Sequence, residues 1–210
     1  MRGLSLTMSV LPNRDRQAER REATRREIVD AAWEIARRDG LAAVTLREVA
    51  AMIGMRSPSL YSHFDSKNAI YDAMFGQGWT RYLAEMRERP LPERPREAVL
   101  AIAEHFFAFS LADPARYQLL NQHAIPGFTP SEAAYAPSVE VIGLLHETMR
   151  GLGVTEPADI DLFLALCGGL LDRQLANEPG GDRWLRQLPR VIDMFADEIG
   201  LPGPTLRSSR

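Results

Sequence analysis

This chain of 210 residues has a single cysteine and a single lysine, and it has no long apolar run. One cysteine, Cys167, excludes an intrachain disulfide and suits a reducing compartment. The longest apolar run, residues 162–171, is shorter than the roughly 20 residues that a membrane helix needs. The N-terminal segment also lacks the apolar core of a secretory signal. We therefore expect a cytoplasmic protein that does not contact a membrane.

Motifs of the common enzyme classes are missing as well. There is no Gly-x-Ser-x-Gly elbow, no phosphate-binding loop and no dinucleotide fingerprint. An enzyme could use His105, His123 or His146 as a base and Ser110 or Cys167 as a nucleophile, but no pattern brings these residues together. No two histidines recur at i, i+4, and no carboxylate joins them at ligand spacing, so we expect no metal site. We likewise expect no cofactor and no catalysis.

The charge is distributed unevenly along the chain. Residues 1–70 carry 12 basic and 9 acidic groups, net +3, whereas residues 71–210 carry 13 and 19, net −6. The overall net charge of −3 therefore hides a positive N-terminal third. A protein that binds nucleic acid through one face only is expected to show such an asymmetry.

The N-terminal third contains two short helical patterns separated by a glycine. Thr45 with Glu48 forms the pattern of a capping box, and an apolar stripe follows until Gly54, which can end a helix in the left-handed conformation. Ser57 is expected to cap a second helix, with Pro58 at its first position. The predicted outer face of that helix carries no acid, which suits an approach to phosphates and base edges; it consists of Ser57, Ser59, Tyr61, Ser62 and His63.

This region resembles the tetracycline-repressor (TetR) family of transcriptional regulators over roughly residues 24–75. The resemblance rests on twelve residues at the family's mutual spacing, namely Ile28, Ala31, Ala32, Gly40, Thr45, Val49, Ala50, Gly54, Leu60, Tyr61, Phe64 and Lys67. It implies an all-α protein with an N-terminal helix-turn-helix domain and a larger helical domain for ligand binding and dimerisation. We place the flexible basic extension at residues 1–22, the DNA-binding domain at 23–70, the ligand domain at 71–200 and a disordered tail at 201–210.

The resemblance also implies which residues meet DNA. Arg56, Ser57, Pro58, Ser59, Tyr61 and Arg47 are expected at the major groove, and Thr45, His63 and Lys67 at phosphates. An early helix capped by Asn13 is expected to expose a set of arginines that either contact DNA or are simply solvated: Arg14, Arg16, Arg20, Arg21, Arg25 and Arg26.

A connecting helix is predicted to run from Lys67 toward Arg89. Prolines then separate the rest of the chain into helices that are predicted over about 96–111, 113–123, 137–151, 157–177 and 182–199. Gly76 and Gly78 interrupt that connector, where they either bend it or allow close packing. The middle helices carry a mixture of aromatic and polar residues that indicates either a core or a ligand pocket. The candidate ligand-binding residues are His105, Phe109, Tyr117, Asn121, His123, Phe128, Tyr135, His146, Phe163 and Cys167.

The helix at 157–177 is apolar on every side in its middle, so we expect it to be buried on two fronts. The resemblance implies that the last two helices pair with those of a second copy. The expected dimer contacts are Leu162, Leu166, Gly169, Leu170, Leu188, Ile192 and Phe195.

These features together predict a homodimeric regulator that binds a palindromic, double-stranded DNA operator and is released by an unidentified small-molecule effector. Repression is the expected mode, and activation by the same fold is the alternative. A helical scaffold without DNA binding is a further alternative, but it leaves the acid-free second helix unexplained.

Overall fold

The computed structural model describes residues 13–203, with side chains from residue 16 onward, and within that range the protein is all-helical. The expected all-α class is thus confirmed. Contacts divide the chain into two compact units, with the boundary after Ile70. The expectations for residues 1–12 and 204–210 lie outside the described residues.

The first unit is built from three helices and the start of a fourth. It contains α1 (Asn13–Asp39), a 3₁₀ turn (Leu41–Ala43), α2 (Leu46–Met52) and α3 (Ser57–Tyr61). Its core is formed by the apolar stripe of α1, which includes Ile28, Ala32 and Ile35, and by Leu60 and Phe64.

The early helix expected from Asn13 and the helix expected from Thr24 form one continuous helix, α1. Residues 13–22, which we assigned to a flexible extension, are helical and continuous with the helix expected from Thr24. The reason is that no glycine or proline interrupts residues 13–39 and most of them are good helix formers. The Thr24 hydroxyl donates to the carbonyl oxygen of Arg20 at 3.0 Å, so it lies inside the helix rather than capping a new one.

The second unit contains most of α4 and five further helices. These are α4 (Lys67–Glu88), α5 (Pro95–Leu111), α6 (Pro114–Asn121), α7 (Glu132–Gly151), α8 (Pro157–Asn177) and α9 (Leu188–Glu198), the last preceded by a 3₁₀ turn (Leu185–Gln187). The predicted bounds of α8 are confirmed, and those of α5 differ by one residue.

Helix α7 begins five residues earlier than predicted, so Pro137 lies inside it. Ser131 caps this helix, since its hydroxyl accepts from the amide of Ala134 at 3.2 Å. Asp72 holds the cap, because its carboxylate accepts from the amide of Ser131 at 2.6 Å and from its hydroxyl at 2.7 Å. A well-held cap therefore outweighs the helix-breaking tendency of the proline.

The segment after α9 also differs from the expectation of a disordered tail from residue 201. Leu201 is buried, and its carbonyl oxygen accepts from Nε and Nη2 of Arg96 at 3.0 and 2.6 Å. Residues 201–203 are therefore packed on the second unit, because an apolar side chain and a charged donor both hold Leu201.

Both glycines of α4 pack closely against neighbouring helices. A Cβ at Gly76 would lie 3.3 Å from the Cα of Ala134, and a Cβ at Gly78 would lie 3.0 Å from Cδ1 of Leu120. Helix α4 runs through both positions without interruption. Of the two readings of these glycines, the structure supports close packing.

No single helix in residues 13–203 is both long enough and apolar enough to cross a membrane. By length and composition α5 and α6 together would suffice, although they are bent by 110°.

Candidate functional site

The turn between α2 and α3 is built as the sequence indicated. The Thr45 hydroxyl accepts from the amide of Glu48 at 3.1 Å, which confirms Thr45 as the cap of α2. Gly54 directly follows the C-cap of α2 and has φ of +66°, a conformation that costs glycine little. The start of α3 is shifted by one residue, because Arg56 is the N-cap without a side-chain bond and Pro58 is the second helical residue. Ser57 is therefore the first residue of α3 and not its cap.

Two arginines of α1 hold the end of α3. Arg21 Nη2 donates to the carbonyl oxygen of Ser62 at 3.1 Å, and Arg25 Nη1 donates to that of His63. The guanidinium of Arg25 also lies 4.0 Å from the ring centroid of Phe64. Cations are favourable at a helix C-terminus, where carbonyls lack partners within the helix. Arg21 and Arg25 thus orient α3 inside the first unit.

The residues expected to meet DNA divide into two groups by exposure. Arg47, Arg56, Pro58, Ser59 and Tyr61 are exposed. Tyr61 is 56% exposed and is the large apolar side chain that the described part of the first unit presents to solvent. An exposed aromatic on a short helix, beside small hydroxyls and an arginine, can contact bases and phosphates.

Thr45, Ser57, His63 and Lys67 are half-buried. Lys67 follows Ser66, whose hydroxyl caps α4 by accepting from the amide of Ala69 at 3.1 Å. The ammonium of Lys67 donates to the carbonyl oxygen of Ala42 at 3.0 Å. The Nδ1 atom of His63 is buried without a hydrogen-bond partner among the described residues. Any phosphate contact of His63 therefore involves Nε2.

The second unit encloses a cavity of about 570 Å³, a size that suits a small organic molecule. Its walls come from α4 to α8 and from the loop after α6. Eight aromatic residues line it: Phe75, Trp79, Tyr82, Phe106, Tyr117, Phe128, Tyr135 and Phe163.

Seven of the ten candidate ligand-binding residues line this cavity. They are Tyr117, Asn121, His123, Phe128, Tyr135, Phe163 and Cys167. His123 lies in the loop wall with φ of +45°, which is uncommon for a residue other than glycine.

The other three candidates do not line the cavity, and each has another place in the structure. His105 is buried beside Glu85, with Nε2 at 3.2 Å from Oε2, and its ring stacks on Tyr82. Phe109 lies under the guanidinium of Arg116, at 3.7 Å from the ring centroid. His146 is half-buried on α7, away from the cavity lining. Residue type alone does not reveal which side of a helix faces a cavity, so these three residues stay predictions without support from the cavity lining.

Sequence reasoning missed the contribution of α4. Phe75, Trp79, Tyr82 and Met86 line the cavity and recur at steps of four, three and four residues, so they form one stripe of this helix. That spacing is visible in the sequence and could have indicated an aromatic face.

The polar groups at the cavity wall centre on Asp172 in α8. Its Oδ1 accepts from the hydroxyl of Tyr117 and from Nε2 of Gln122, both at 2.8 Å. Burial, together with this hydrogen bond and the nearby carboxylate charge, raises the pKa of Tyr117, so the phenol stays neutral. Nε1 of Trp79 is buried and has no acceptor within the described part of the chain.

Cys167 is poorly suited to nucleophilic chemistry. Burial raises the pKa of its thiol to about 12, and the reactive form of a cysteine is the thiolate. Within residues 13–203, no group of three or more His, Cys, Asp and Glu side chains is placed to hold a metal ion.

The predicted dimer contacts are only partly on the surface. Leu188, Ile192 and Phe195 are 1, 1 and 2% exposed and belong to the core of their own unit, so they cannot form an interface with a second copy. The amphipathic stripe of α9 packs inward. Leu166 and Leu170 are half-buried against the same core, whereas Leu162 and Gly169 are exposed.

Comparison with known proteins gives similarities to one family model, one curated protein and two solved structures. The family model for bacterial regulatory proteins of the tetR family matches residues 28–74. The uncharacterised HTH-type transcriptional regulator YobS of Bacillus subtilis strain 168 is 31% identical over 102 residues, which are 48% of this chain and 53% of that protein. The match thus spans about half the length of this curated relative.

Solved structures share the fold at low identity. A protein assigned as regulatory, SCO4313, has a TM-score of 0.69 at 21% identity, over 86% of this chain and 98% of that one. FadR from Bacillus subtilis, in complex with stearoyl-CoA, has a TM-score of 0.59 at 14% identity, over 81% and 96%.

The all-helical fold of this chain, with a helix-turn-helix in the first unit, is the fold of these solved structures. Residues 28–74 are similar to the tetR family of bacterial regulatory proteins, which agrees with the resemblance that the sequence analysis described over residues 24–75.

Proposed function

We propose that this protein is a homodimeric repressor of the cytoplasm that binds a palindromic operator and is released from it by a small molecule held in the cavity of the second unit. The observation that carries the proposal is the exposed, acid-free surface of α3 and its turn, formed by Arg56, Ser59 and Tyr61. Such a surface approaches the negatively charged groove without repulsion.

In this proposal the residues have distinct roles on DNA. Arg56, Ser57, Pro58, Ser59, Tyr61 and Arg47 contact base edges or the groove walls. Thr45, His63 and Lys67 contact phosphates.

The dimer is proposed on the exposed face of α8. Leu162 (41% exposed), Ala165 and Gly169 recur at i, i+3 and i+7, so they share one side of the helix. A Cβ at Gly168 or Gly169 would meet nothing within 4 Å among the described residues. Interior helical glycines cost about 1 kcal/mol each relative to alanine. Gly168 and Gly169 also line the cavity, so the space beside them suits either a bound molecule or a helix from a second copy.

A twofold dimer explains why the operator should be palindromic, because each copy presents one α3 to one half-site. A ligand that binds the DNA-incompetent form more tightly then releases the operator. A coupling free energy of about 1–3 kcal/mol would change operator affinity by roughly 5 to 150-fold. FadR, which shares the fold, is seen with stearoyl-CoA, so a chain of this architecture can bind a small molecule.

Selection from a random DNA pool by the purified full chain tests the proposal. We expect an enriched sequence with twofold symmetry and half-sites about one helical turn apart. Enrichment of an asymmetric site would contradict the dimeric arrangement, and recovery of no sequence would contradict specific DNA binding.

A further inference from the structure

The cavity has only one permanent charge in its lining, and that charge is negative. Among the described residues that line it, none is lysine or arginine, and Asp172 is the single carboxylate. The remaining ionisable groups there are phenols, the Cys167 thiol and the imidazole of His123. A bound molecule therefore meets a negative field unless it brings its own counter-charge.

Asp172 has neutral partners but no cationic one. Both hydrogen bonds that it accepts, from Tyr117 and Gln122, go to Oδ1. No described Arg, Lys or His side chain forms an ion pair with it, and its Oδ2 has no hydrogen-bond partner among the described residues. Asp172 is exposed and lines the cavity, and one of its two carboxylate oxygens accepts no hydrogen bond from a described residue.

The aromatic walls add to the same preference. The faces of aromatic rings are negative, and they attract cations within about 6 Å of the ring centroid. Eight aromatic residues line the cavity, and one of them, Tyr117, donates its hydroxyl to Asp172, so ring and carboxylate are adjacent. An apolar molecule with a delocalised or shielded positive charge would interact favourably with both the aromatic rings and the carboxylate.

We propose that the cavity selects lipophilic organic cations and that the carboxylate of Asp172 is the counter-charge of the bound molecule. This inference rests on the proposed function, in which the same cavity is the effector site. It excludes fatty acids and other lipophilic anions as preferred ligands, because no cation in the lining neutralises them.

Displacement of a neutral fluorescent dye tests the charge preference directly. N-phenyl-1-naphthylamine reports occupancy of the cavity in the full chain, and tetraphenylphosphonium and tetraphenylborate compete with it. The two ions have nearly the same size and shape but opposite charge.

We expect the phosphonium to displace the dye at a concentration about tenfold lower than the borate does. A tenfold difference in affinity is what one partly solvated charge is expected to contribute. Asp172→Asn preserves the shape and should bring the two ions within about threefold of each other, whereas Asp172→Glu should keep the preference. Asp161→Asn, an exposed position on the same helix outside the cavity lining, is the matched control and should behave as the unaltered chain does.

Equal displacement by both ions, a preference for the borate, or no displacement by the phosphonium would overturn the inference. Unchanged selectivity in a folded Asp172→Asn variant would also overturn it. Failure of the proposed function has a different signature. In that case the phosphonium would bind with the expected selectivity but leave operator affinity unchanged, or the neutral dye itself would not bind.

Discussion

Arg21 donates a hydrogen bond of 3.1 Å from Nη2 to the carbonyl oxygen of Ser62, the residue immediately after α3. Together with the bond from Arg25 to His63, it ties the middle of α1 to the end of the shortest helix in the described chain. A helix of five residues is marginal by itself, so its orientation depends on such contacts.

Replacing both arginines should loosen α3. Arg21→Ala with Arg25→Ala removes two hydrogen bonds with charged donors, and we expect a loss of about 1–2 kcal/mol in the free energy of unfolding, because such bonds in partly exposed settings contribute modestly. Operator affinity should fall while the salt dependence stays unchanged. Arg26→Ala, an exposed neighbour on α1, is the control. A salt slope reduced by about two would show instead that both arginines contact phosphates.

Arg56 and Lys67 should affect DNA binding differently. Lys67→Ala should weaken all DNA sequences alike and lower the salt slope by about one, since it removes a phosphate contact. Arg56→Ala should cost about 1–3 kcal/mol on the preferred operator and relax the preference at one position. Competition binding on a set of single-base operator variants measures both effects. If Lys67→Ala altered the sequence preference, the two roles would be reversed.

Gly76 and Gly78 should respond differently to alanine, although both lie in α4. Each substitution gains about 1 kcal/mol of helix propensity. At Gly76 the new Cβ would lie 3.3 Å from the backbone of Ala134, and a backbone atom cannot move without its helix. We expect this crowding to outweigh the gain in helix propensity, so Gly76→Ala should lower the melting temperature. At Gly78 it meets the end of the Leu120 side chain, which can rotate.

Since Leu120 lines the cavity, Gly78→Ala should keep stability and weaken ligand binding by pushing that side chain inward. Thermal unfolding and dye binding of the two variants check this pair of expectations. If the glycines formed a hinge, both variants would bind the ligand with normal affinity, but the ligand would no longer release them from the operator.

The carboxylate of Glu85 should make a pH-dependent contribution to stability. Burial opposes its ionisation, but hydrogen bonds from Arg81 and His105 outweigh burial and hold the pKa of Glu85 below its ordinary value. Because the pKa is lowered on folding, the stabilisation is present at neutral pH and is lost as the pH falls through the lowered value.

Glu85→Gln should therefore be less stable than the unaltered chain at pH 7, and the difference should shrink once the pH falls below the ordinary glutamate pKa of about 4.3 and vanish below the lowered pKa. Chemical unfolding at a series of pH values measures it, with the exposed Glu88→Gln on the same helix as the control. A difference that persists unchanged into acid would exclude an electrostatic origin.

Local signals predicted the first unit well, because its architecture depends on caps and turns that lie close together in sequence. Thr45 and Gly54 each determine a helix end by their own backbone and side-chain preferences. The same holds for α8, which begins at Pro157.

Long-range packing could not be predicted in the same way. The stripe on α9 would look identical whether it faced its own core or a second copy, and the structure shows that Ile192 faces the core. His105 has the polarity expected of a cavity residue, but its partner Glu85 lies 20 positions away on another helix. The charge of the cavity depends on Asp172, whose proximity to Tyr117 spans 55 positions.

Sequence-specific reading of DNA by a pair of chains is the central claim, and a stoichiometric titration tests it most directly. The full chain is titrated onto the selected palindrome and onto a shuffled duplex of the same composition, at the same near-physiological salt concentration. We predict two chains per palindrome and an affinity at least about 10³-fold above that for the shuffled duplex. Equal affinity for both duplexes would contradict the account.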